Sequence, residues 1–262
     1  FRFVDLPPEL RTQIFPYLIP HNLFISWIED HDTNSRRFWA NGPAMLYGLN
    51  TYKFAIDGFA HQPISLRSPR IFGILGVGNR LHLLRNLRSI HIKIVFNHNQ
   101  HWTVKRLRAR LQYFVDTLKA HADDINKRSL LGDLNVEFNP GLHSNEQALE
   151  GNTQAGTGRS SPENGMFSLE SLAALRGIKR VQIVGILDWY AKCLELCIKG
   201  KGGEVENMHW PEVKISHHKG MKRHHTKTTT RKWYHPTLNW KGFAEQNGIM
   251  VPDDIDNLWV TQ

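Results

Sequence analysis

The residues best suited to metal chemistry in this sequence are histidines and cysteines near the C-terminal end. Four histidines stand close together: His217, His218, His224 and His225. Their imidazoles could bind zinc or copper, but the many surrounding lysines and arginines oppose a divalent cation. Cys193 and Cys197 share one face of a predicted helix, and the chain has no second cysteine pair to complete a zinc site. We therefore expect two core cysteines, no physiological metal and no cofactor.

A second group of residues could bind nucleic acid. The segment 214–241 is rich in Lys and Arg and has aromatic residues after its densest charge. Cations displace counterions from phosphates, and aromatic rings stack on unpaired bases, so RNA or DNA is a candidate partner. The candidate contacts are Lys219, Lys222, Arg223, Lys227, Arg231, Lys232, Trp233 and Tyr234. The basic face of the predicted helix at 105–110 could add to them. The alternative is a solvated loop whose charge only aids solubility, because no known nucleic-acid-binding motif accompanies the segment.

Signatures of the common enzyme classes are missing. The chain has no G-x-S-x-G elbow, no Walker A loop and no H-E-x-x-H helix. The stretch GILGVG at 73–78 resembles a phosphate-binding loop only in its glycines, and its flanks favour a turn. The sequence therefore predicts a protein that is not an enzyme and has no catalytic residues.

Composition favours a folded basic protein of the cytoplasm or nucleus. The chain has 262 residues, 40% of them hydrophobic, and a net charge of +9, which makes acidic partners plausible. Two cysteines, no signal peptide and no apolar run long enough to span a bilayer favour a reducing compartment and no membrane partner. Residue 1 is Phe and not Met, which is consistent with a fragment.

Most of the chain alternates between strand and helix patterns. Strands are predicted at 46–54, 87–96, 131–139 and 178–187, and helices at 102–123, 168–177 and 188–200. The alternation predicts an α+β or α/β fold, with an open sheet and amphipathic helices on one face. Leucine-rich entries to three of the strands favour irregular leucine-rich-repeat-like units. In the helix at 102–123, the apolar stripe should face the core and the basic residues at 105–110 the solvent.

Three regions follow from these patterns. We expect an N-terminal helical motif at 1–45, an α/β body at 46–203 and a basic, His-rich segment with an acidic tail at 204–262. Within the body, the residues at about 139–165 are rich in Gly, Ser, Asn and Gln, so we predict a mobile insertion there.

The stretch LPPELRTQIFPYLIP at 6–20 combines a well-formed helix start with an apolar stripe. Pro7 and Pro8 suit the first turn, and Glu9 suits the positive end of the helix dipole. Pro16 should end or kink the helix. The stripe consists of Leu6, Leu10, Ile14 and Leu18. It either docks a partner or packs on the sheet.

This stretch resembles the start of an F-box, with its Leu-Pro-x-Glu and the following Ile-Phe. It is also similar to a group of filamentous-fungal proteins, mostly of unknown function, that begin with LPPELR and share later landmarks resembling LYGLNTYKF, LRSIHIKI and LRGIKRVQIVG. The F-box resemblance implies docking to the adaptor subunit of a cullin-type ubiquitin ligase, with the C-terminal region selecting substrates. It would assign adaptor contacts or packing positions to Leu6, Pro7, Pro8, Leu10, Ile14 and Leu18. The chain would then be a non-enzymatic protein-interaction module, and a nucleic-acid-binding protein is the alternative.

Overall fold

The fold is an open parallel sheet with helices, seen in a computed structural model of the chain. The described residues are 7, 9–10, 13–14, 17, 24–26, 50–59, 66–76, 80–96, 101–122, 131–139, 162–209 and 235–253. Within them, residues 9–10, 13–14 and 17 are helical.

The sheet has five strands in the order β1-β2-β3-β4-β5, and every neighbouring pair is parallel. The strands are β1 (Phe24–Ser26), β2 (Thr51–Asp57), β3 (Ser89–Val95), β4 (Asp133–Asn139) and β5 (Arg180–Val184). Strand order follows chain order, as expected when successive strand-and-helix units stack side by side. The α/β fold class is therefore confirmed.

Between residues 50 and 253, the described ranges contain four α-helices and three 3-10 helices. The α-helices are α1 (His101–Ala122), α2 (Pro162–Leu169), α3 (Asp188–Ile198) and α4 (Trp240–Gln246). The 3-10 helices are Pro69–Gly76, Leu81–Asn86 and Glu170–Ala174. Gly73 interrupts the first of them with a φ of 55°, a conformation that glycine tolerates best. None of the described helices combines the length and apolarity needed to span a membrane.

The hydrophobic core lies on one face of the sheet. Alternate residues of β2, β3, β4 and β5 are buried, as the period of two requires. These are Tyr52, Phe54, Ile56, Ile90, Ile92, Ile94, Leu134, Val136, Phe138, Val181 and Ile183. The predicted stripe of α1 packs over them through Leu107, Leu111, Phe114, Val115 and Leu118, all of them buried. Trp240, Phe243 and Ala244 near the C-terminus belong to the same core.

Three details differ from the sequence predictions. Strand β2 begins at Thr51 and runs to Asp57, so its predicted position at 46–54 was too early. The helix predicted at 168–177 begins at Pro162, and Ser168 is not its cap: the Ser168 hydroxyl donates a hydrogen bond to the carbonyl of Asn164 at 2.8 Å. The third is Arg110, predicted to face solvent but only 5% exposed.

Several predictions fall on residues outside the described ranges. They are the insertion between 140 and 161, the positions of Leu6, Pro8 and Leu18, the four histidines, and the candidate nucleic-acid contacts from Lys219 to Tyr234. The division of the chain into three regions also remains a prediction.

Candidate functional site

None of the described helices packs on the largely polar sheet face opposite the core, and we call its fifteen positions on β2 to β5 the open face. They are Thr51, Lys53, Ala55, Asp57, Ser89, His91, Lys93, Val95, Asp133, Asn135, Glu137, Asn139, Arg180, Gln182 and Val184. None of these residues is buried. Parallel sheets are normally covered by helices on both faces. Because no helix of the described ranges lies over this largely polar face, it is a candidate recognition surface.

The strand register places opposite charges side by side on the open face. Asp133 lies beside Arg180, whose Nη2 donates to Asp133 Oδ2 at 2.6 Å. This hydrogen bond and the carboxylate charge raise the pKa of Arg180. Glu137 lies beside Lys93, with 3.8 Å between Glu137 Oε1 and Lys93 Nζ. Both carboxylates of β4 are thus already paired within the face.

His91 lies in the middle of the open face. Its Nε2 is 3.4 Å from Glu137 Oε2, and the side chain is 12% exposed. Burial is the main cause that lowers the pKa of His91, followed by the charge of the neighbouring Lys53. The imidazole is therefore mostly neutral at neutral pH and adds little charge to this surface, and both of its ring nitrogens are buried.

A second polar feature, the buried carboxylate of Glu170, joins the C-terminal segment to the helical layer. Its side chain is 1% exposed. Arg108 Nη1 donates to Oε2 at 2.8 Å, and the Trp240 indole donates to Oε1 at 3.1 Å. Thr237 donates through its amide and its hydroxyl, at 2.6 and 2.8 Å, and the Leu238 amide donates at 3.0 Å. Buried charge is tolerated only when it is paired and hydrogen-bonded, so we interpret Glu170 as a structural anchor.

Around this anchor the packing is aromatic. The rings of Tyr190 and Trp240 meet edge to face with their centroids 5.1 Å apart. Burial, with a smaller effect of the Glu170 carboxylate, raises the pKa of Tyr190. Its hydroxyl stays protonated and donates to the Met166 carbonyl at 2.9 Å. A cleft of about 320 Å³ opens beside the anchor, with Arg108 and Glu170 among its lining residues.

The anchor also fixes both flanks of the basic segment. Asn207 pairs antiparallel with Leu238. The Met208 amide donates to the Thr237 carbonyl at 2.8 Å, and the Asn239 amide donates to the Glu206 carbonyl at 2.8 Å. The described residues on either side of 210–234 are therefore held together, next to the Glu170 hydrogen bonds.

Two arginines of the basic helix face are engaged inside the protein. Arg108 reaches Glu170 and the Phe167 carbonyl, and its guanidinium lies 4.0 Å from the Phe167 ring centroid. Arg110 donates to the Asp57 carbonyl at 2.6 Å, to Asp57 Oδ1 at 2.8 Å and to the Phe59 carbonyl at 2.9 Å. The prediction that this arginine faces solvent was wrong, because its charge is needed at the end of β2.

Among the described N-terminal residues, the apolar side chain of Leu10 is exposed to solvent. Pro7 is exposed, and Leu10, in helical conformation, is 44% exposed. Ile14, one turn later, is partly buried. Tyr17, also in helical conformation, is 88% exposed, and the predicted stripe did not include it.

The two cysteines are core residues, as predicted. Cys193 and Cys197 are both free and fully buried. Burial raises the pKa of the Cys193 thiol to about 12 and also raises that of Cys197. Within the described ranges, no group of three or more His, Cys, Asp or Glu residues could hold a metal ion.

These features define an α/β protein with a one-sided core and a polar open face. No family model matches the chain, no curated protein matches it, and no solved structure matches it.

The open face was missed by the sequence reasoning although its residues were visible. Ser89, His91 and Lys93 alternate with three isoleucines, which predicted one polar side of β3. Their partners on β2 and β4 depend on the register between strands. Glu170 carried no signal in the sequence, because its partners lie about 60 to 70 residues away along the chain.

Proposed function

We propose that this chain is a non-enzymatic protein-interaction module, a substrate receptor that docks the adaptor subunit of a cullin-type ubiquitin ligase through its N-terminal helical residues. Leu10 carries the proposal, because it is 44% exposed within the stretch that resembles an F-box start. An apolar stripe that only packed on the sheet would hide this side chain. Exposed apolar surface favours a partner, and Tyr17 in the same stretch is 88% exposed.

The open face supports the second half of the proposal. A substrate receptor needs one surface for the adaptor and another for the protein that it presents. The open face lies on β2 to β5, whereas the exposed apolar residues lie at 10 and 17. Stacked strand-and-helix proteins commonly bind partners through their sheet surface. Such a role suits the cytoplasm or nucleus, where cullin-type ligases act.

Retention of a purified adaptor subunit on the immobilised full chain tests the proposal. We expect the wild-type chain to retain the adaptor and the double variant Leu10→Asp, Ile14→Asp to lose it. Gln13→Asp is the matched control. Gln13 is exposed and lies between the two positions, so this substitution adds a negative charge without altering the apolar stripe. Equal retention by the wild-type chain and the double variant would contradict the proposal, as would no retention by either.

Single-stranded nucleic acid is the second candidate partner, and Trp102 at the start of α1 favours it. Its ring is 64% exposed, with Lys105 Nζ 5.7 Å from the ring centroid. An exposed ring beside a cation suits base stacking and phosphate contact. Arg108 and Arg110 are engaged inside the protein, and the other two cations of the predicted face, Lys105 and Arg106, are partly exposed.

Salt dependence tests this alternative. Binding of a single-stranded oligonucleotide should weaken steeply with salt, and further when residues 214–234 are deleted. The deletion should stop before residue 235, because Thr237 and Trp240 hold the Glu170 anchor. Affinity that is unchanged by salt or by this deletion would contradict the alternative.

A further inference from the structure

On the open face, the short side chain of Ala55 has two lysines as neighbours in the strands, and we call this place the depression. The residue is exposed, lies in register with Lys93 on β3, and follows Lys53 by two positions on β2. Neighbouring strands lie about 4.8 Å apart, and alternate residues of one strand about 6.6 Å apart. Both lysine side chains therefore rise next to a single methyl group, which leaves room between them.

The charges of these two lysines are incompletely compensated. Lys93 Nζ is 3.8 Å from Glu137 Oε1, a long ion pair, and the same glutamate also approaches His91 at 3.4 Å. Among the described residues, Lys53 has no hydrogen bond or ion pair. The opposite side of the face differs, because Arg180 and Asp133 satisfy each other there.

We propose that this depression binds a carboxylate from an acidic segment of a partner protein, with Lys53 and Lys93 as its two cations. The inference rests on the proposed function, since it assigns the kind of protein that the open face takes. Charge complementarity argues for an acidic occupant. Among the described residues, the anions close to the depression are already engaged, Glu137 with Lys93 and His91, and Asp57 with Arg110.

The composition of the open face argues against nucleic acid as its occupant. A phosphate would also attract two ammonium groups, but the open face has no Trp, Tyr or Phe on which a base could stack. An acidic polypeptide can place one carboxylate over Ala55 and donate amide hydrogen bonds to the amide and carboxylate oxygens around it.

Fluorescence anisotropy with labelled hexaglutamate and the full chain tests the proposal. We expect Lys53→Glu to weaken binding about fivefold or more, since each exposed ion pair contributes modestly and the reversal adds repulsion. The matched control is Lys192→Glu, an identical charge change at an exposed position of α3. It should change affinity less than about twofold. Equal weakening by both variants would overturn the proposal, because it would indicate only the general attraction of a basic protein.

Ala55→Leu provides a second test without a change in charge. A larger side chain should fill the depression and weaken hexaglutamate binding while leaving the melting temperature close to that of the wild type. Unchanged hexaglutamate binding by this folded variant would contradict the proposal. Tighter binding of a single-stranded oligonucleotide than of hexaglutamate, lost in Lys53→Glu and kept in Lys192→Glu, would also overturn it in favour of nucleic acid.

The same variants separate this inference from the proposed function. Lys53→Glu should retain the adaptor subunit as the wild type does, since Lys53 is on the sheet and not on the N-terminal stripe. If Lys53→Glu loses hexaglutamate binding but still retains the adaptor subunit, both proposals are supported. Hexaglutamate binding that depends on Lys53, in a chain that retains no adaptor, would contradict the receptor role alone.

Discussion

The Trp240 indole donates a hydrogen bond to the buried carboxylate of Glu170 at 3.1 Å and thereby ties the C-terminal helix to the 3-10 helix Glu170–Ala174. Four further hydrogen bonds reach the same carboxylate. Residues 70 positions apart along the chain are joined here, next to the flanks of the basic segment.

Glu170→Gln should destabilise the protein by about 3 kcal/mol, the usual cost of breaking a buried charge pair. The amide removes the charge opposite Arg108 and turns one acceptor into a donor that faces the amides of Thr237 and Leu238. Chemical denaturation measures the change. Glu204→Gln is the control, because Glu204 is exposed at the same cleft. Equal stability of the two variants would show that Glu170 is not an anchor.

Arg110→Met should cost about 2 to 3 kcal/mol, because it leaves the Asp57 carboxylate and two carbonyls without their donor. Arg106→Met is the same substitution at a half-exposed position of the same helix. It should change the free energy of unfolding by no more than about 0.5 kcal/mol. Thermal and chemical unfolding of both variants provides the comparison. A similar loss in each would contradict a special role for Arg110.

These arginines show where sequence reasoning about this fold succeeds and where it stops. The alternation of Ile90, Ile92 and Ile94 predicted β3 correctly, because burial on one face of a strand follows a local period of two. The direction of Arg110 could not be predicted, since its acidic partner lies 53 residues earlier in the chain. The first residues of α2, 162–165, continue the Gly-, Ser- and Asn-rich stretch that predicts a mobile insertion, although Asn164 and Gly165 are buried.

The same limit applies to the candidate sites. The stripe containing Leu10 was visible in the sequence, but whether it faces solvent depends on what packs against it. The depression at Ala55 exists only because the parallel register sets Lys93 beside it. Pairing between strands is a property of the tertiary structure, and a single sequence leaves it open.

Glu195→Leu should expose the edge of β5 that faces away from β4 and promote self-association. The Ile183 amide, which faces away from β4, donates to Glu195 Oε1 at 3.0 Å and is thus unavailable to another strand. Unpaired edge groups are templates for pairing with a second chain. Light scattering at rising protein concentration should detect larger species. Lys199→Met is the control, because it removes the 3.3 Å ion pair to Glu195 but leaves Glu195 in place on the edge. This variant should scatter light as the wild type does. Identical scattering by both variants would contradict this role of Glu195.

The buried thiols predict a pH dependence of stability. Burial raises the pKa of Cys193 from 9.0 to about 12, so the folded state retains the proton that the unfolded state loses. This contribution is complete below pH 9 and disappears as the pH rises from about 9 towards 12. The variant Cys193→Ala should therefore lose less stability than the wild type over this range in chemical denaturation. If the free energies of unfolding of the wild type and of Cys193→Ala fall in parallel over this pH range, the prediction is wrong.

Native thiol labelling checks the same burial at constant pH. At pH 8, iodoacetamide should leave Cys193 and Cys197 unmodified in the folded chain and modify both in concentrated urea, because the thiolate is the reactive form. Mass spectrometry counts the added groups. Rapid modification of either cysteine without urea would contradict the core position of these residues.

The dissociation constant of the full chain with a purified adaptor subunit of a cullin-type ligase tests the central claim most directly. Calorimetric titration should give saturable one-to-one binding for the wild type and for Gln13→Asp. The double variant Leu10→Asp, Ile14→Asp should bind at least about 100-fold more weakly, as expected when charges enter an apolar contact. The same affinity for the wild type and the double variant, or no binding by the wild type, would contradict the account.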